Sequence, residues 1–316
     1  MHAVSTHRRR KKPLHQAIVQ ELRRNLGLYA LVAIPVIFLL IFKYWPMYGV
    51  QIAFRDYTPV RSITGSPWVG LKHIRRFFGN PQFWSILRNT FLISVYSLGT
   101  FPLSILFALQ LHYLPSIRYR KTIQLVSYAP HFISTVVMVG ILLQFLDKNS
   151  GLLNLVIKAL GGNTINFMAK PDYFYSIYVW SGVWQGLGYS AIIYISALSG
   201  VPTELHEAAI VDGATIPRRI WSIDIPCILP TICILLIMNC GRVLSVGHEK
   251  IFLMQNNLNR TVSEVISTYV YKQGLASSIP QYSYGAAIDL FITLVNLVLL
   301  VTVNRVSRSI TSYGLW

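Results

Sequence analysis

The polar segment at residues 201–226 carries the residue types whose spacing is most specific. Residues 203–212 place acids in the first turns of a short helix, where the helix dipole favours them. Gly213 can take the left-handed conformation that ends a helix. Pro217 suits the first turn of a second short helix, and Pro226 can start the next apolar helix without losing a hydrogen bond. We therefore predict two short helices that meet at the glycine and lie exposed at a membrane surface.

This segment is suited to transmitting motion rather than to a chemical reaction. The small side chains of Ala208 and Ala209 allow a compact helix to enter a groove of a partner subunit. Glu207, Arg218 and Arg219 can then fix its register. Motion of the partner would displace the adjoining membrane helices as a rigid body. An ordinary amphipathic loop between two membrane helices explains the same residues, so physical reasoning alone leaves both interpretations open.

Side chains that could catalyse a reaction or bind a metal do not cluster along the chain. The three cysteines share one apolar segment without CxxC spacing, which is typical of small buried side chains. No G-x4-G-K-[ST] phosphate loop occurs, so the chain itself is not expected to bind ATP. The histidines are scattered, as four of them show: His73, His112, His131 and His206. We expect no catalytic residue, no metal site and no bound cofactor, and hence a protein that is not an enzyme.

Composition points to a polytopic membrane protein. Of the 316 residues, 53% are hydrophobic and 12% are charged, and the mean hydropathy is +0.48. A soluble domain carries about 25% charged residues. The net charge of +17 would suit nucleic acid, but the densest basic run, residues 8–12, lies shortly before the first apolar stretch. There it would hold the N-terminus in the cytoplasm and bind anionic headgroups, so we expect membrane lipid and no nucleic acid as a partner.

Six apolar stretches are each long enough to cross about 30 Å of hydrocarbon as a helix. They cover residues 26–45, 89–112, 122–146, 173–199, 227–247 and 282–304. Prolines interrupt some of them, at Pro35, Pro102 and Pro130, and neighbouring helices can absorb such breaks. The predicted fold class is therefore an all-α integral membrane protein with six transmembrane helices.

The predicted chain has four parts. They are a basic cytoplasmic tail (1–25), a first membrane helix with an outer loop (26–86), a permease domain (87–304) and a C-terminal tail (305–316). Six crossings put both termini in the cytoplasm. Several basic residues between positions 55 and 88 would then lie outside, an excess that the length of this loop makes tolerable. The outer loops at 46–88 and 248–281 are too long for simple turns, and the first, rich in Gly, Pro and aromatics, is expected to be a folded cap.

The spacing E-A-A-x3-G-x9-I-x-I-P resembles the EAA motif of type I ABC importer permeases. The matching positions are Glu207, Ala208, Ala209, Gly213, Ile223 and Pro226. The one departure is Ile225, where leucine is usual before the proline. Further stretches, among them residues 130–134 and 182–186, resemble the LplB-like polysaccharide-type permeases, which are relatives of the larger maltose-type subunit.

This resemblance implies a maltose-transporter-like fold in which the 201–226 loop is the coupling helix. It implies a bacterial cell-membrane permease subunit of an ATP-driven importer for oligosaccharides or polysaccharide fragments. Its partners would be a second permease subunit, two ATPase subunits that bind ATP and magnesium, and an extracytoplasmic solute-binding protein. The alternative is a secondary transporter of a small polar solute, for which inverted repeats and midplane ion ligands are expected; neither is visible in the sequence.

Five residues are candidates for the substrate path. Sugar sites pair an aromatic face with hydrogen bonds from amides or carboxylates, and the fourth stretch offers Trp184, Gln185 and Tyr189. The fifth stretch adds Asn239 and Arg242. Packing between helices, or aromatic anchoring at the membrane interface, accounts for the uncharged members equally well.

Two charges within the predicted membrane helices require a partner or a function. Arg242 and Asp289 are expected at similar depth in the fifth and sixth stretches, which predicts an ion pair between them. Alternatively, Arg242 faces an anionic substrate. The basic outer loop also favours an acidic sugar. Lys250 belongs to a Glu-Lys pair that resembles the same subgroup, although His248 stands where phenylalanine is usual.

Overall fold

The structure is a computed structural model and describes residues 24–316. The described chain is helical, and its only strand-like pairing is an isolated bridge between Arg55 and Trp68. The predicted basic run at residues 8–12 and most of the predicted N-terminal tail lie outside the described residues.

We number the helices in chain order. They are α1 (Leu26–Leu39), α2 (Lys72–Phe78), α3 (Phe83–Gly99), α4 (Phe101–His112), α5 (Ile117–Tyr128), α6 (Thr135–Phe145), α7 (Leu152–Ala159), α8 (Pro171–Ser199), α9 (Thr203–Val211), α10 (Ile216–Arg219), α11 (Ile225–Cys240), α12 (His248–Met254), α13 (Arg260–Ser263), α14 (Ile266–Gly274) and α15 (Tyr282–Thr311). Shorter turns extend some of them: π turns at Leu40–Tyr44 and Ile220–Asp224, and 3₁₀ segments at Trp45–Phe54 and Ala129–Phe132.

Within the described residues, four helical stretches are long and apolar enough to cross a membrane. They are Leu26–Phe54, Phe83–His112, Ile216–Cys240 and Tyr282–Thr311. The bent pair of α5 and α6 makes a fifth if it counts as one span. The remaining predicted span, the fourth (residues 173–199), corresponds to α8, whose 29 residues are long enough but include many aromatic and polar side chains. All six predicted stretches are therefore helical, with bounds that differ from those expected.

The third predicted span, residues 122–146, is broken rather than continuous. Its two halves meet at an angle of 102°. Pro130 cannot continue the helical hydrogen-bond ladder, and the Ser134 hydroxyl accepts a hydrogen bond of 3.3 Å from the Val137 N–H, which starts a new helix. The proline break expected here is confirmed, but a single straight helix is not formed.

The predicted outer cap is folded. The backbone N–H of Tyr57 donates a 2.9 Å hydrogen bond to the Ser283 hydroxyl, and the Lys72 ammonium lies 2.6 Å from the Asp56 carboxylate. An apolar cluster joins the cap to α3, α14 and the start of α15 through the buried residues Phe77, Phe83, Ile86, Ile266, Tyr269, Tyr284, Ile288 and Ile292. The first turns of α15 belong to the cap, because Tyr284 and Ile288 pack in this cluster.

The second outer loop also folds, into the short helices α12, α13 and α14. Asn89 on α3 is fully buried and ties this loop to the bundle. Its amide donates hydrogen bonds of 2.9 and 3.0 Å to the carbonyls of Thr261 and Glu264, and its own carbonyl accepts one of 2.8 Å from the Tyr175 hydroxyl. A buried amide with all of these partners carries little desolvation cost.

Helix α8 is the central element and contacts α3, α4, α5 and α11. On its C-terminal half it shares a buried cluster with α4 and α11, whose members are Ala108, Leu109, Ala191, Tyr194, Leu198 and Ile228. Small residues allow close packing of helices in a membrane. A very close approach lies at Gly188, where an added Cβ would lie 2.4 Å from the backbone oxygen of Ser127 on α5.

We predict that Gly188→Ala lowers the thermal unfolding midpoint of the purified chain by several degrees. The new methyl group would overlap a backbone atom that cannot rotate away, so α5 and α8 must separate. Gly186→Ala is the matched control, because an added Cβ there has no neighbour within 4 Å and alanine favours the helix. Equal midpoints for the two variants would contradict the close contact.

Candidate translocation cavity and coupling loop

A cavity of about 630 Å³ lies among α3, α4, α8 and the segment from α11 to α12. The middle of α8 lines this cavity, and its C-terminus leads into α9. The polar and aromatic residues lining the cavity are Ser94, Ser97, Thr100, Phe101, Ser104, Tyr178, Gln185, Tyr189, Ser190, Tyr194, Asn239, Arg242, Ser245 and Lys250. Hydroxyl, amide and aromatic groups of this kind can bind a polyhydroxylated solute.

Four of the five residues predicted for the substrate path line this cavity: Gln185, Tyr189, Asn239 and Arg242. Trp184 does not. Successive helix positions are rotated by about 100°, so Trp184 faces another side of α8 than Gln185 does, and it is 53% exposed. Its assignment to the substrate path is therefore corrected.

The broken third span satisfies the Gln185 side chain. Its Nε2 donates a 2.9 Å hydrogen bond to the carbonyl of Ile133, which lies in the break between α5 and α6. A carbonyl freed from a helix and an amide within a membrane bundle each need a partner. Tyr189, one turn further along α8, stacks on His131 with ring centroids 3.7 Å apart and planes 5° apart, so the break also supports an aromatic side chain at the cavity.

Lys250 is a charged residue of the cavity that the sequence prediction left without a role. Its ammonium donates a 2.7 Å hydrogen bond to the carbonyl of Tyr178 and lies 4.5 Å from the centre of the Tyr178 ring. Burial lowers the pKa of Lys250 to about 8. The resemblance of its Glu-Lys pair to one permease subgroup was the signal in the sequence. Only the packing of α12 against α8 places the side chain in the cavity.

The predicted ion pair between Arg242 and Asp289 does not form. No salt bridge among the described residues joins them, and only Arg242 lines the cavity. The register of α15 explains the difference, because the Leu244 N–H donates a 3.1 Å hydrogen bond to the Asn296 side chain. Arg242 therefore lies at about the membrane depth of Asn296 or of the next residue along α15. Asp289 lies two or more helical turns, roughly 10 Å or more, nearer to the outer surface.

The first helix of the predicted coupling segment forms as expected. Helix α9 ends before Gly213, whose φ is +75°. The Ala214 N–H donates to the carbonyl of Ala209 at 2.8 Å, and the Gly213 N–H donates to that of Ile210 at 3.0 Å. These two bonds form a Schellman motif, which satisfies the last carbonyls of α9 and requires the left-handed residue. The helix-ending role predicted for Gly213 is confirmed.

The second predicted helix does not end before the membrane. Helix α10 continues through the π turn at Ile220–Asp224 into α11, so the fifth span is one helix from Ile216 to Cys240 rather than residues 227–247. Pro226 lies inside this continuous helix. The wider turn before it changes the hydrogen-bond ladder where the proline has no N–H to donate. Helix α9 is therefore followed, after a short turn, by a helix that is continuous across the membrane.

The EAA residues lie on an accessible surface. Glu207, Ala208, Gly213 and Pro226 are exposed, whereas Ala209 and Ile223 are half-buried. Two apolar neighbours also face outward, since Ile210 is 55% and Val211 is 87% exposed. No salt bridge within residues 24–316 involves Glu207. A small-residue helix with an unpaired acid and exposed apolar side chains has the surface of a docking element.

Beneath α9, a polar cluster connects the loop to the membrane helices. The Tyr113 hydroxyl donates a 2.6 Å hydrogen bond to the fully buried Asp224 carboxylate, and the Arg219 guanidinium lies 5.5 Å from the centre of the Tyr113 ring. His206 and His112 lie beside the same carboxylate. The sequence predicted that the histidines are scattered. This prediction is wrong for His112 and His206, which are far apart along the chain but meet at Asp224.

Comparisons with known proteins agree with this architecture. Residues 100–312 match the family model described as binding-protein-dependent transport system inner membrane component. In Bacillus subtilis (strain 168), protein LplB is 38% identical over 93% of this chain and 92% of its own length. The polygalacturonan/rhamnogalacturonan transport system permease protein YteP of the same organism is 38% identical over 97% of this chain and 95% of its own length.

A solved structure is also similar. It is the crystal structure of a bacterial alginate ABC transporter in complex with an alginate pentasaccharide-bound periplasmic protein, and one of its chains superposes with a TM-score of 0.85. The sequence identity is 36%, and the match covers 94% of this chain and 99% of that one. At this identity and coverage the likeness extends beyond the fold. It favours the ABC permease over the alternative of a secondary transporter.

The matched family model covers the central helix, the cavity residues contributed by α8 and α11, and the whole EAA loop. Proteins of this family are multi-pass membrane components rather than enzymes, and separate subunits hydrolyse ATP. The chain belongs to the binding-protein-dependent transport system inner membrane components, the permease subunits of ABC importers.

Proposed function

We propose that this chain is one of two permease subunits of an importer for acidic oligosaccharides. The observation that carries the proposal is the charge of the cavity. Arg242 and Lys250 both line it, and its lining, drawn from the described residues, contains no Asp or Glu. Two cations without a balancing carboxylate attract an anionic solute.

The remaining lining residues suit a sugar. Tyr189 offers an aromatic ring, Asn239 an amide, and Ser94 and Ser97 offer hydroxyl groups. Aromatic faces and hydroxyl or amide groups provide the contacts that a pyranose ring with several hydroxyls requires. A uronate carboxylate would then be bound by the guanidinium of Arg242 through charge-assisted hydrogen bonds.

The relatives support this substrate class. A bacterial ABC transporter described as involved in the import of the acidic polysaccharide alginate contains a chain that is 36% identical and superposes with a TM-score of 0.85. The Bacillus subtilis relative YteP is named as a polygalacturonan/rhamnogalacturonan permease. We extend the chemistry of these names to this chain because its cavity has the matching charge.

The partners follow from two exposed surfaces. Helix α1 has no buried residue, and the cavity is not enclosed, so a second permease and membrane lipid are the proposed neighbours at these surfaces. The EAA loop is the proposed docking site for one of two ATPase subunits, which bind ATP and magnesium. This arrangement places the loop and both chain termini in the cytoplasm, with an extracytoplasmic solute-binding protein at the folded cap.

In the proposed mechanism, closure of the ATPases displaces α9. Because α9 lies between the central helix α8 and the continuous helix from α10 to α11, both move with it. The cavity lies between these same helices, so its access alternates between the two sides of the membrane. The binding protein delivers the oligosaccharide to the outward-open cavity, and ATP hydrolysis resets the inward-open state.

Glu207→Lys is expected to abolish co-purification of the ATPase with the permease. Glu207 is exposed and unpaired in the isolated chain, so charge reversal removes an interaction with the partner without disturbing the fold. The measurement is the ATPase-to-permease ratio after affinity purification of the co-expressed importer. Glu249→Lys is the matched control, since this exposed glutamate lies on α12, beyond the end of α11 that is remote from the EAA loop. A full ATPase complement in Glu207→Lys would contradict the docking role.

Transport of an acidic oligosaccharide is expected to fall as the pH rises through about 8. The lowered pKa means that Lys250 is cationic below about pH 8 and loses its charge above it, so the attraction of the cavity for an anion weakens. In proteoliposomes that contain the whole importer, uptake at pH 9 should be several-fold lower than at pH 7. At pH 9 roughly one chain in ten retains the Lys250 charge.

Two controls isolate this effect. Lys250→Met should be slow at both pH values, because it has no charge to lose. Uptake of the carboxyl-reduced form of the same oligosaccharide should show no decrease between pH 7 and pH 9 that depends on Lys250. If the wild type imports the neutral and acidic oligomers with the same pH profile, the acidic-substrate proposal is refuted.

A further inference from the structure

Three side chains from three separate elements converge beneath the coupling helix. His112 is the last residue of α4, His206 lies on α9, and Asp224 ends the π turn before α11. One nitrogen of each histidine and one oxygen of the carboxylate all lie within 4.8 Å of one another. Neither the proposed substrate path nor the docking of an ATPase requires such a group.

Two of these atoms are buried without a hydrogen-bond partner. His206 Nε2 lies 3.2 Å from Asp224 Oδ1, but neither atom makes a hydrogen bond. Asp224 has no exposed surface at all. A buried carboxylate oxygen without a partner is strongly disfavoured relative to one in water. The ring nitrogen and the carboxylate oxygen are therefore close together without forming a hydrogen-bonded pair.

The surroundings orient the carboxylate for this purpose. The Tyr113 hydroxyl binds Oδ2 of Asp224 at 2.6 Å, which leaves Oδ1 turned toward the histidines. Groups that hold a ligand in this way are characteristic of metal sites. The nearest cations have other contacts: Arg120 donates to the carbonyl oxygens of His112 and Leu114, and Arg219 lies over the Tyr113 ring.

We infer that His112, His206 and Asp224 form a binding site for a divalent transition-metal ion such as Zn²⁺. Two imidazoles and one carboxylate suit zinc, whereas magnesium and calcium prefer oxygen ligands alone. Tetrahedral zinc with bonds of about 2.1 Å places its ligand atoms about 3.4 Å apart. The observed separations, 3.2 Å between His206 and Asp224 and at most 4.8 Å among all three ligand atoms, are close to that spacing, and a water molecule would complete the coordination.

The ion would fasten the coupling helix to the membrane helices. One ligand comes from α9, and the other two come from the ends of α4 and of the π turn that leads into α11. An ion bound to all three removes the freedom of α9 to move separately from these helices. Metal binding would therefore stabilise the loop through which motion of the partner is transmitted. The site depends only on this chain and holds whatever the substrate is.

The test is a zinc titration of the purified full-length chain, without an affinity tag and stripped with EDTA. Zn²⁺ binding is measured by competition with a chromophoric chelator and by the shift of the thermal unfolding midpoint. The wild type should bind one more Zn²⁺ than His206→Gln does, and His206→Gln and His112→Gln should each weaken this site by at least about tenfold. Zn²⁺ should raise the unfolding midpoint of the wild type, and Mg²⁺ should not.

His131→Gln is the matched control, because this exposed histidine lies outside the cluster and should leave zinc binding unchanged. Each of the three variants lacks one histidine, so a general loss of background binding would affect all three alike. Replacement of Zn²⁺ by Co²⁺ should give a visible absorption band in the wild type that is absent from His206→Gln. Equal zinc affinity in the wild type, His112→Gln and His206→Gln would overturn the site, as would a folded wild type that binds no zinc.

Discussion

The close packing of α8 against α4 and α5 determines where both functional regions lie. At Gly188 the helix backbone approaches Ser127 so closely that no side chain fits. This contact sets the rotation of α8, which turns Gln185 and Tyr189 into the cavity and Trp184 away from it. The same helix ends where α9 begins, so one rigid element connects the cavity with the coupling loop.

Polar groups within an apolar bundle are tolerated when each one finds a partner. Gln185 donates to the carbonyl freed by the break at Pro130, and Asn296 accepts from the backbone of Leu244. Such bonds hold the helices in register and carry little net cost. Two groups of charged side chains are not fully accounted for in this way. The two cations of the cavity face no carboxylate in its lining, and the carboxylate beneath α9 keeps one oxygen without a hydrogen bond beside two histidines. These are the places to which we assign a solute and a metal ion.

Local patterns accounted for much of the architecture. Length and hydropathy identified the helical stretches, since a membrane helix must satisfy its own backbone groups and so leaves a clear mark in the sequence. The end of α9 at Gly213 was also predictable, because a Schellman motif uses only neighbouring residues. The bounds were less predictable. Helix α10 passes into α11 through a π turn, and the third span bends by 102°, because neighbouring helices support these irregular turns.

By itself the sequence determined that this is a helical membrane protein with an EAA loop between its fourth and fifth helical stretches. These properties rest on composition and on spacing within a few helical turns. Only the tertiary structure decided which polar residues meet. Asp289 is separated from Arg242 by the register of α15, Lys250 enters the cavity because α12 folds back on α8, and His112 meets His206 because α4 and α9 converge on Asp224. Each result depends on how helices distant in the chain are rotated and shifted against one another, which no local pattern encodes.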